Sequence, residues 1–168
     1  GVNALAYPTA SNNTAVGYNA LLGVNGSSTG GSNTAVGYIA LKSNTTGSSN
    51  TAVGHYALQS NTTGVGNIGI GSEALSANTT GSSNIAIGLQ ALMSNSTASN
   101  STAVGSTALG NNSAASNTAV GSNALKNNAS GNSNVAVGAS ALWGGGGSSG
   151  SGNVAVGFDT MESNSTGG

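Results

Sequence analysis

Polar side chains that could carry chemistry recur along this chain at a fixed phase. The tripeptide Asn-x-Ser/Thr, the acceptor pattern for N-linked glycans, occurs ten times. Six of these asparagines lie seven residues after a recurring glycine: Asn44, Asn61, Asn78, Asn95, Asn128 and Asn164. A row of glycosylated asparagines would require a secreted, glycosylating source. Turn asparagines multiplied by duplication of one unit would give the same phasing, so both interpretations stay open.

Aromatic side chains form a second candidate site. Tyr18, Tyr38 and Tyr56, together with His55, fall just after the recurring glycine in three consecutive units. If the units stack, these rings form a strip of the kind that binds sugars or apolar patches. Ordinary ladder packing along a β-surface is the alternative. The three tyrosines are therefore candidate surface-binding residues, and His55 is expected to be an exposed side chain.

The chain contains few residues that could form a catalytic, metal or cofactor site. The chain has three carboxylates, Glu73, Asp159 and Glu162, one histidine and no cysteine. Asp159 and Glu162 share a unit and could reach the separation of about 5–9.5 Å that a glycosidase pair needs. An isolated pair on a variable loop is more typical of a solvated surface. We therefore expect no enzyme activity, no metal ligands and no cofactor.

Charge is nearly absent from the composition. Only 3% of the residues are charged, and the net charge is −1. No basic surface is available for nucleic acid, and no apolar run approaches the ~18 residues of a membrane span. We expect no nucleic-acid partner and no membrane insertion in this segment. A chain with so little charge is prone to association.

A nine-residue signature, Asn-[Thr/Ile/Val]-[Ala/Gly]-[Val/Ile]-Gly-x-x-Ala-Leu, organises the whole chain. Its glycines are Gly17, Gly37, Gly54, Gly71, Gly88, Gly105, Gly121, Gly138 and Gly157. Successive glycines are separated by 20, 17, 17, 17, 17, 16, 17 and 19 residues. A fixed period of this size indicates a solenoid. The sequence predicts a single repeat array over residues 1–168, a fragment of a longer fibre, whose first, truncated unit is anchored at Gly1.

Each unit is predicted to form one rung. The residues before the glycine alternate with period two and are β-branched on one face, which is typical of a short strand. An unvarying glycine at the strand end indicates a corner with positive φ. The following Ala-Leu pair is interpreted as a second short strand, and the Asn-Thr-Thr-Gly stretch as a loop. The fold class is therefore an all-β parallel solenoid of about ten ~17-residue rungs with two strands each.

Stacking would place identical residues in columns. One asparagine column is expected at Asn13, Asn33, Asn50, Asn67, Asn84, Asn117, Asn134 and Asn153, with Ser101 as the exception. Stacked asparagine amides can hydrogen-bond along such a column. The strand alanines are expected to form a flat face that stays unburied in a single chain. Close packing of that face against further copies would give a homo-oligomer.

The segments Asn-Thr-Ala-Val-Gly-Tyr-x-Ala-Leu at 13–21 and 33–41 resemble the head repeats of trimeric autotransporter adhesins, the YadA-like family, and related phage tail-fibre and surface-fibre repeats. The likeness extends through every unit. The resemblance implies a left-handed parallel β-roll, packing as a homotrimer, and an adhesive or spacer role. It places the chain outside the cell, on a cell surface or a virion appendage, with a host-surface glycan or protein as receptor. The unit here is longer than that family's usual one.

The sequence thus favours a structural or adhesive segment of an extracellular homo-oligomeric fibre. Two alternatives remain. One is the core of a glycan-coated fibril, which depends on the Asn-x-Ser/Thr asparagines. The other is an ice-binding solenoid, suggested by a partial threonine column at Thr14, Thr34, Thr51, Thr102 and Thr118.

Overall fold

One parallel β-sheet runs through the array. The computed structural model describes residues 1–6, 10–23, 28–144 and 149–161. Nine strands pair there in chain order, each parallel to the next and in register. They are β1 Thr14–Val16, β2 Thr34–Val36, β3 Thr51–Val53, β4 Ile68–Ile70, β5 Ile85–Ile87, β6 Thr102–Val104, β7 Thr118–Val120, β8 Val135–Val137 and β9 Val154–Val156. The described residues contain no helix.

The all-β parallel solenoid is confirmed, with fewer turns than predicted. Nine strands in sequential order give eight steps from β1 to β9, against about ten predicted rungs. The truncated unit at Gly1 has no strand, but it still pairs with the next unit. Asn19 donates its backbone N–H to the carbonyl of Val2 at 3.0 Å, and Leu5 donates to Ala20 at 3.1 Å.

The prediction of two strands per unit is wrong. The Ala-Leu pair forms a turn, in which each leucine has a positive φ, for example 50° at Leu58 and 52° at Leu75. The second residue after the corner glycine is also left-handed, as at Tyr56 with φ 58°. Left-handed residues two positions apart prevent an extended backbone. The turn is therefore joined to the next unit by isolated hydrogen bonds and not by a strand ladder, for example from the Leu58 N–H to the Ala74 carbonyl oxygen at 3.0 Å.

The orientation of the strand faces is also the reverse of the prediction. The central alanine of each strand points into the solenoid, and Ala35, Ala52, Ala86 and Ala103 are fully buried. The β-branched residues point outward, and Ile70 and Ile87 are each 38% exposed. The alanines therefore form the core with the leucines, and the outer face consists of Val, Ile and Thr.

The narrow interior explains this orientation. Gly69 occupies the alanine position in β4, and a Cβ placed there would lie 3.2 Å from the Cγ atom of Leu58 and 3.2 Å from the carbonyl oxygen of Ala74. The strand and the Ala-Leu turn are therefore so close that a methyl group fills the space between them. A valine or isoleucine would overpack this interior, which is destabilising.

The predicted asparagine column forms and is buried. Asn50, Asn67 and Asn84 are fully buried. The Oδ1 atom of Asn50 accepts the backbone N–H of Asn67 at 2.9 Å, and Asn67 Oδ1 accepts that of Asn84 at 3.0 Å. At Ser101 the hydroxyl oxygen takes over this role and accepts the N–H of Asn117 at 3.3 Å. Each side chain thus satisfies a backbone donor of the following unit.

Candidate functional sites

The recurring glycines occupy the corners between strand and turn. All nine have φ between 125° and 139°, a conformation that L side chains rarely adopt. The corners of successive units also stack closely. A Cβ built on Gly88 would lie only 2.6 Å from the carbonyl oxygen of Gly105. Both the backbone conformation and the lack of space therefore require glycine. Gly1 stacks on Gly17 in the same way.

Five of the six candidate glycosylation asparagines form a second buried column. Asn44, Asn61, Asn78, Asn95 and Asn128 are at most 1% exposed. Each Nδ2 donates to the carbonyl oxygen three residues later, as Asn61 does to Gly64 at 3.1 Å. In all of them except Asn44, the same nitrogen also donates to the Oδ1 atom of the preceding unit's asparagine, as Asn78 does to Asn61 at 2.8 Å.

The burial and hydrogen bonding of these side chains conflict with the hypothesis that they carry a row of glycans. An N-linked glycan is attached at Nδ2, and in these five residues that atom is buried and occupied by hydrogen bonds. The folded units have no space for a sugar there, so these asparagines are structural turn residues. The sixth candidate, Asn164, lies outside the described residues. This second column was not predicted, because the Asn-Thr-Thr-Gly pattern is typical of both turns and glycosylation sites.

The aromatic rings of successive units contact one another, as the predicted stacking of the units requires. The rings of Tyr18 and Tyr38 are stacked, with centroids 5.3 Å apart and planes 12° apart, and Tyr38 stacks on His55 at 5.3 Å and 15°. Tyr56 meets Tyr38 edge-on at 5.5 Å and approaches His55 to 4.0 Å. The four rings, called here the aromatic strip, lie along one edge of three consecutive units. Tyr18 and Tyr38 are 46% and 43% exposed, so the strip faces solvent.

Stacking limits what the aromatic strip can bind. Because Tyr38 has a ring on each side, its faces are covered by Tyr18 and His55, and its solvent-facing part is the ring edge with the hydroxyl. A sugar that packs flat on a ring needs a free face. Tyr18 stacks on Tyr38 by one face only. Apart from the other face of Tyr18, the tyrosines offer mainly hydroxyl groups and ring edges, which suit hydrogen bonds to a polar ligand better than stacking.

The surroundings of Tyr38 change its ionisation. Desolvation by burial raises the pKa of Tyr38 above its ordinary value of 10.0, and the neighbouring Tyr56 and Tyr18 add to this increase. Since the folded pKa exceeds the unfolded one, this contribution to stability is complete below pH 10 and declines as pH rises through the folded pKa. We expect the melting temperature to fall more steeply above pH 10 in the native chain than in the Tyr38→Phe variant. Equal slopes in thermal melts from pH 8 to 12 would contradict this.

The outer face of the sheet consists of the β-branched strand residues, not of the alanines that were predicted to lie there. It consists of the first and third residue of every strand, and we call it the β-branched face. The third-residue column comprises Val16, Val36, Val53, Ile70, Ile87, Val104, Val120, Val137 and Val156. No charged residue occurs in any strand. Nothing within the described residues covers this face, and its side chains are exposed or half-buried.

The two carboxylates that the structure describes, Glu73 and Asp159, do not form a site. Asp159 is exposed at the end of the array, and Glu162 lies outside the described residues. Glu73, far from both in sequence, accepts a hydrogen bond from Gln90 Nε2 at 2.9 Å. Among the described residues no group of three or more His, Cys, Asp or Glu side chains is placed to hold a metal ion. The same residues include no helix that could cross a membrane.

Comparisons with protein-family models, curated proteins and solved structures gave no match to this chain.

Proposed function

We propose that this chain is a structural and adhesive segment of an extracellular homo-oligomeric fibre, such as a surface adhesin or a tail-fibre-like shaft. The observation that supports the proposal is the β-branched face, which extends over all nine strands. Eight steps of about 4.8 Å give a flat strip roughly 38 Å long. An uncharged strip of this length, apolar except for the threonines at the first position of five strands, is typical of an interaction surface.

A second copy of the chain is the partner that best fits this face. Its side chains repeat once per unit with no charged residue, so only a surface with the same repeat can meet every unit equivalently. Parallel copies related by a closed rotation would achieve this. We propose three copies with left-handed coils, as the resemblance to YadA-like head repeats implies. Burying the β-branched face would also offset the small core, which consists of alanines and one leucine per unit.

We assign adhesion to the aromatic strip, which the corner glycines separate from the β-branched face. The aromatic strip lies beyond the corner from the β-branched face in the sequence, so a ligand could reach its hydroxyl groups while copies associate through the sheet. We propose a host-surface glycan or protein receptor there, recognised through hydrogen bonds to Tyr18 and Tyr38. The location of such a fibre would be a cell surface or a virion appendage.

Ice binding is the second candidate, because the structure places the threonine column on the β-branched face. Thr34, Thr51, Thr102 and Thr118 are half-buried at the outer surface of the strands. Isoleucine and valine interrupt this column in β4, β5, β8 and β9. One face cannot both bind ice and pack against further copies. A monomeric chain with thermal hysteresis at micromolar concentration would favour ice binding over the fibre.

The fibre proposal is tested by mass in solution. Light scattering should give three times the 15.7 kDa of one chain. Ile87→Glu should convert this species to monomer, since it places a carboxylate at the centre of the β-branched face. Leu89→Glu is the matched control, because Leu89 is 51% exposed in the same unit but lies past the corner glycine. We expect it to leave the mass unchanged.

A mass of one chain for the native protein would contradict the proposal. Equal effects of Ile87→Glu and Leu89→Glu would contradict the assignment of the β-branched face. Circular dichroism on both variants separates lost association from lost folding, since an exposed glutamate on a folded strand should preserve the β signal.

A further inference from the structure

A three-donor contact joins the loops of successive units. The backbone N–H groups of Thr79 and Thr80 donate to the carbonyl oxygen of Ser96 at 2.8 and 3.3 Å. The hydroxyl of Thr79 donates to the same oxygen at 3.0 Å. The two preceding junctions have the same contact: Thr62 and Thr63 with the Thr79 oxygen, and Thr45 and Thr46 with the Thr62 oxygen. One acceptor oxygen thus receives these three donors at each junction, and the Thr62 oxygen accepts the Gly47 N–H as a fourth.

The equivalent donors at Ser96 and Thr97 have no acceptor among the described residues. Neither backbone N–H donates a hydrogen bond to a described residue, and the Ser96 hydroxyl donates none either. Both residues are exposed, so a ligand can reach these donors. The loop keeps the conformation of its counterparts, because Asn95 Nδ2 still donates to the carbonyl oxygen three residues later at 3.0 Å. We call these three donors the open cradle.

A shortened unit explains why the cradle is open. The step from Gly105 to Gly121 is 16 residues, one fewer than in the preceding units. Only Ser113 separates Asn112 from Ala114, whereas the earlier loops have two residues at this place. Ser113 holds the position whose carbonyl oxygen would occupy the cradle, but in the shortened loop that oxygen accepts no hydrogen bond from Ser96 or Thr97.

A second irregularity marks the same junction. In the preceding units each column asparagine donates to the Oδ1 atom of the one before it, as Asn78 does to Asn61 at 2.8 Å. Asn112 Nδ2 instead donates to the Ala114 carbonyl at 2.6 Å, two residues later. The buried Oδ1 of Asn95 is left without a hydrogen bond. Both the loop and the asparagine column are therefore interrupted between these two units.

We propose that the open cradle binds a carboxylate group. Adjacent backbone N–H groups that converge on one point form an anion-binding concavity, and hydrogen bonds to a charged acceptor are about twice as strong as neutral ones. The cradle already has the geometry that binds an oxygen atom in three other units. Residues 88–121, the two units that meet at the cradle, contain no charged side chain, so neither unit has a carboxylate that would repel the ligand.

Amide NMR of the full-length protein titrated with sodium acetate tests the site. The Ser96 and Thr97 amide signals should shift saturably, whereas those of Thr79 and Thr80 should not, because the Ser96 carbonyl oxygen occupies their cradle. Sodium chloride at equal ionic strength should leave all four signals in place. Equal shifts at both loops, or the same shifts with chloride, would overturn the proposal.

Insertion of one threonine after Ser113 provides the matched variant. It restores the 17-residue step and the full loop length, so that the Ser113 carbonyl oxygen should occupy the cradle. The Ser96 and Thr97 amides should then become protected from hydrogen exchange and lose their response to acetate. Ser96→Ala removes only the hydroxyl donor and should raise the dissociation constant several-fold. An insertion variant that still responds to acetate like the native protein would overturn the assignment.

Discussion

Gly88→Ala should prevent the array from folding or lower its free energy of unfolding by at least about 4 kcal/mol. Gly88 has φ 133°, and the new Cβ would lie 2.6 Å from the carbonyl oxygen of Gly105 and 2.7 Å from its carbonyl carbon. Both contacts are with backbone, which cannot rotate away as a side chain can. Relief would require the corner to move out of the stack, and every inter-unit hydrogen bond near it would be strained.

Gly66→Ala is the matched control for this substitution. Gly66 also has a positive φ, 68°, but the nearest atom to its Cβ position is the Ser83 hydroxyl oxygen at 4.0 Å. The expected cost is the left-handed conformation alone, roughly 1–2 kcal/mol. Denaturant unfolding followed by circular dichroism gives both values. Similar unfolding midpoints for the two variants would show that the corner glycines are not needed for close stacking.

Asn67→Ala should lower the free energy of unfolding by about 2–4 kcal/mol. Asn67 is fully buried, donates from Nδ2 to the Gly81 carbonyl at 2.7 Å and accepts the Asn84 N–H at 3.0 Å. Alanine leaves that N–H buried without an acceptor and removes the volume of the amide. The measurement is the shift in the midpoint of denaturant unfolding, converted with the native m-value.

Two further variants separate the loss of the column hydrogen bonds from the effect that any asparagine substitution would have on stability. Asn67→Ser should cost less than Asn67→Ala, because Ser101 shows that a hydroxyl oxygen in this column can accept the next backbone N–H, at 3.3 Å. Asn132→Ala changes an exposed asparagine and should alter stability by no more than about 0.5 kcal/mol. If Asn67→Ala were as mild as Asn132→Ala, the buried column would not stabilise the fold.

The repeat, the strands and the corners could be predicted because each depends on a local rule. A glycine that never varies at a strand end indicates a conformation that other residues avoid, and Gly37 and Gly54 have φ of 139° and 138°. Alternation with period two locates a strand but does not say which face is inside. Residue size decided that here, since the interior admits alanine at Ala52 while Val53 lies outside.

The turn and the second asparagine column could not be predicted for different reasons. Leucine rarely adopts a left-handed conformation, so Leu58 and Leu75 gave no sign of the turn that replaces the expected second strand. The burial of Asn61 depends on a carbonyl in its own loop and an amide in the preceding unit. Such contacts between units become visible only when the register of the stack is known. The open cradle depends on the same register, because a single missing residue creates it.

Each unit adds one step along a single axis, with the corner glycines stacked above one another. Because the chain has no cysteine, spin labels can be placed on Val2 paired with Ser72, with Ser106 or with Ala139, all of which directly follow a recurring glycine. Labelled chains diluted with unlabelled ones exclude distances between copies. Pulsed EPR should give mean distances of about 19, 29 and 38 Å, an increase of about 4.8 Å per unit. Distances that do not increase in proportion to the four, six and eight units between the labels would contradict the stacked solenoid.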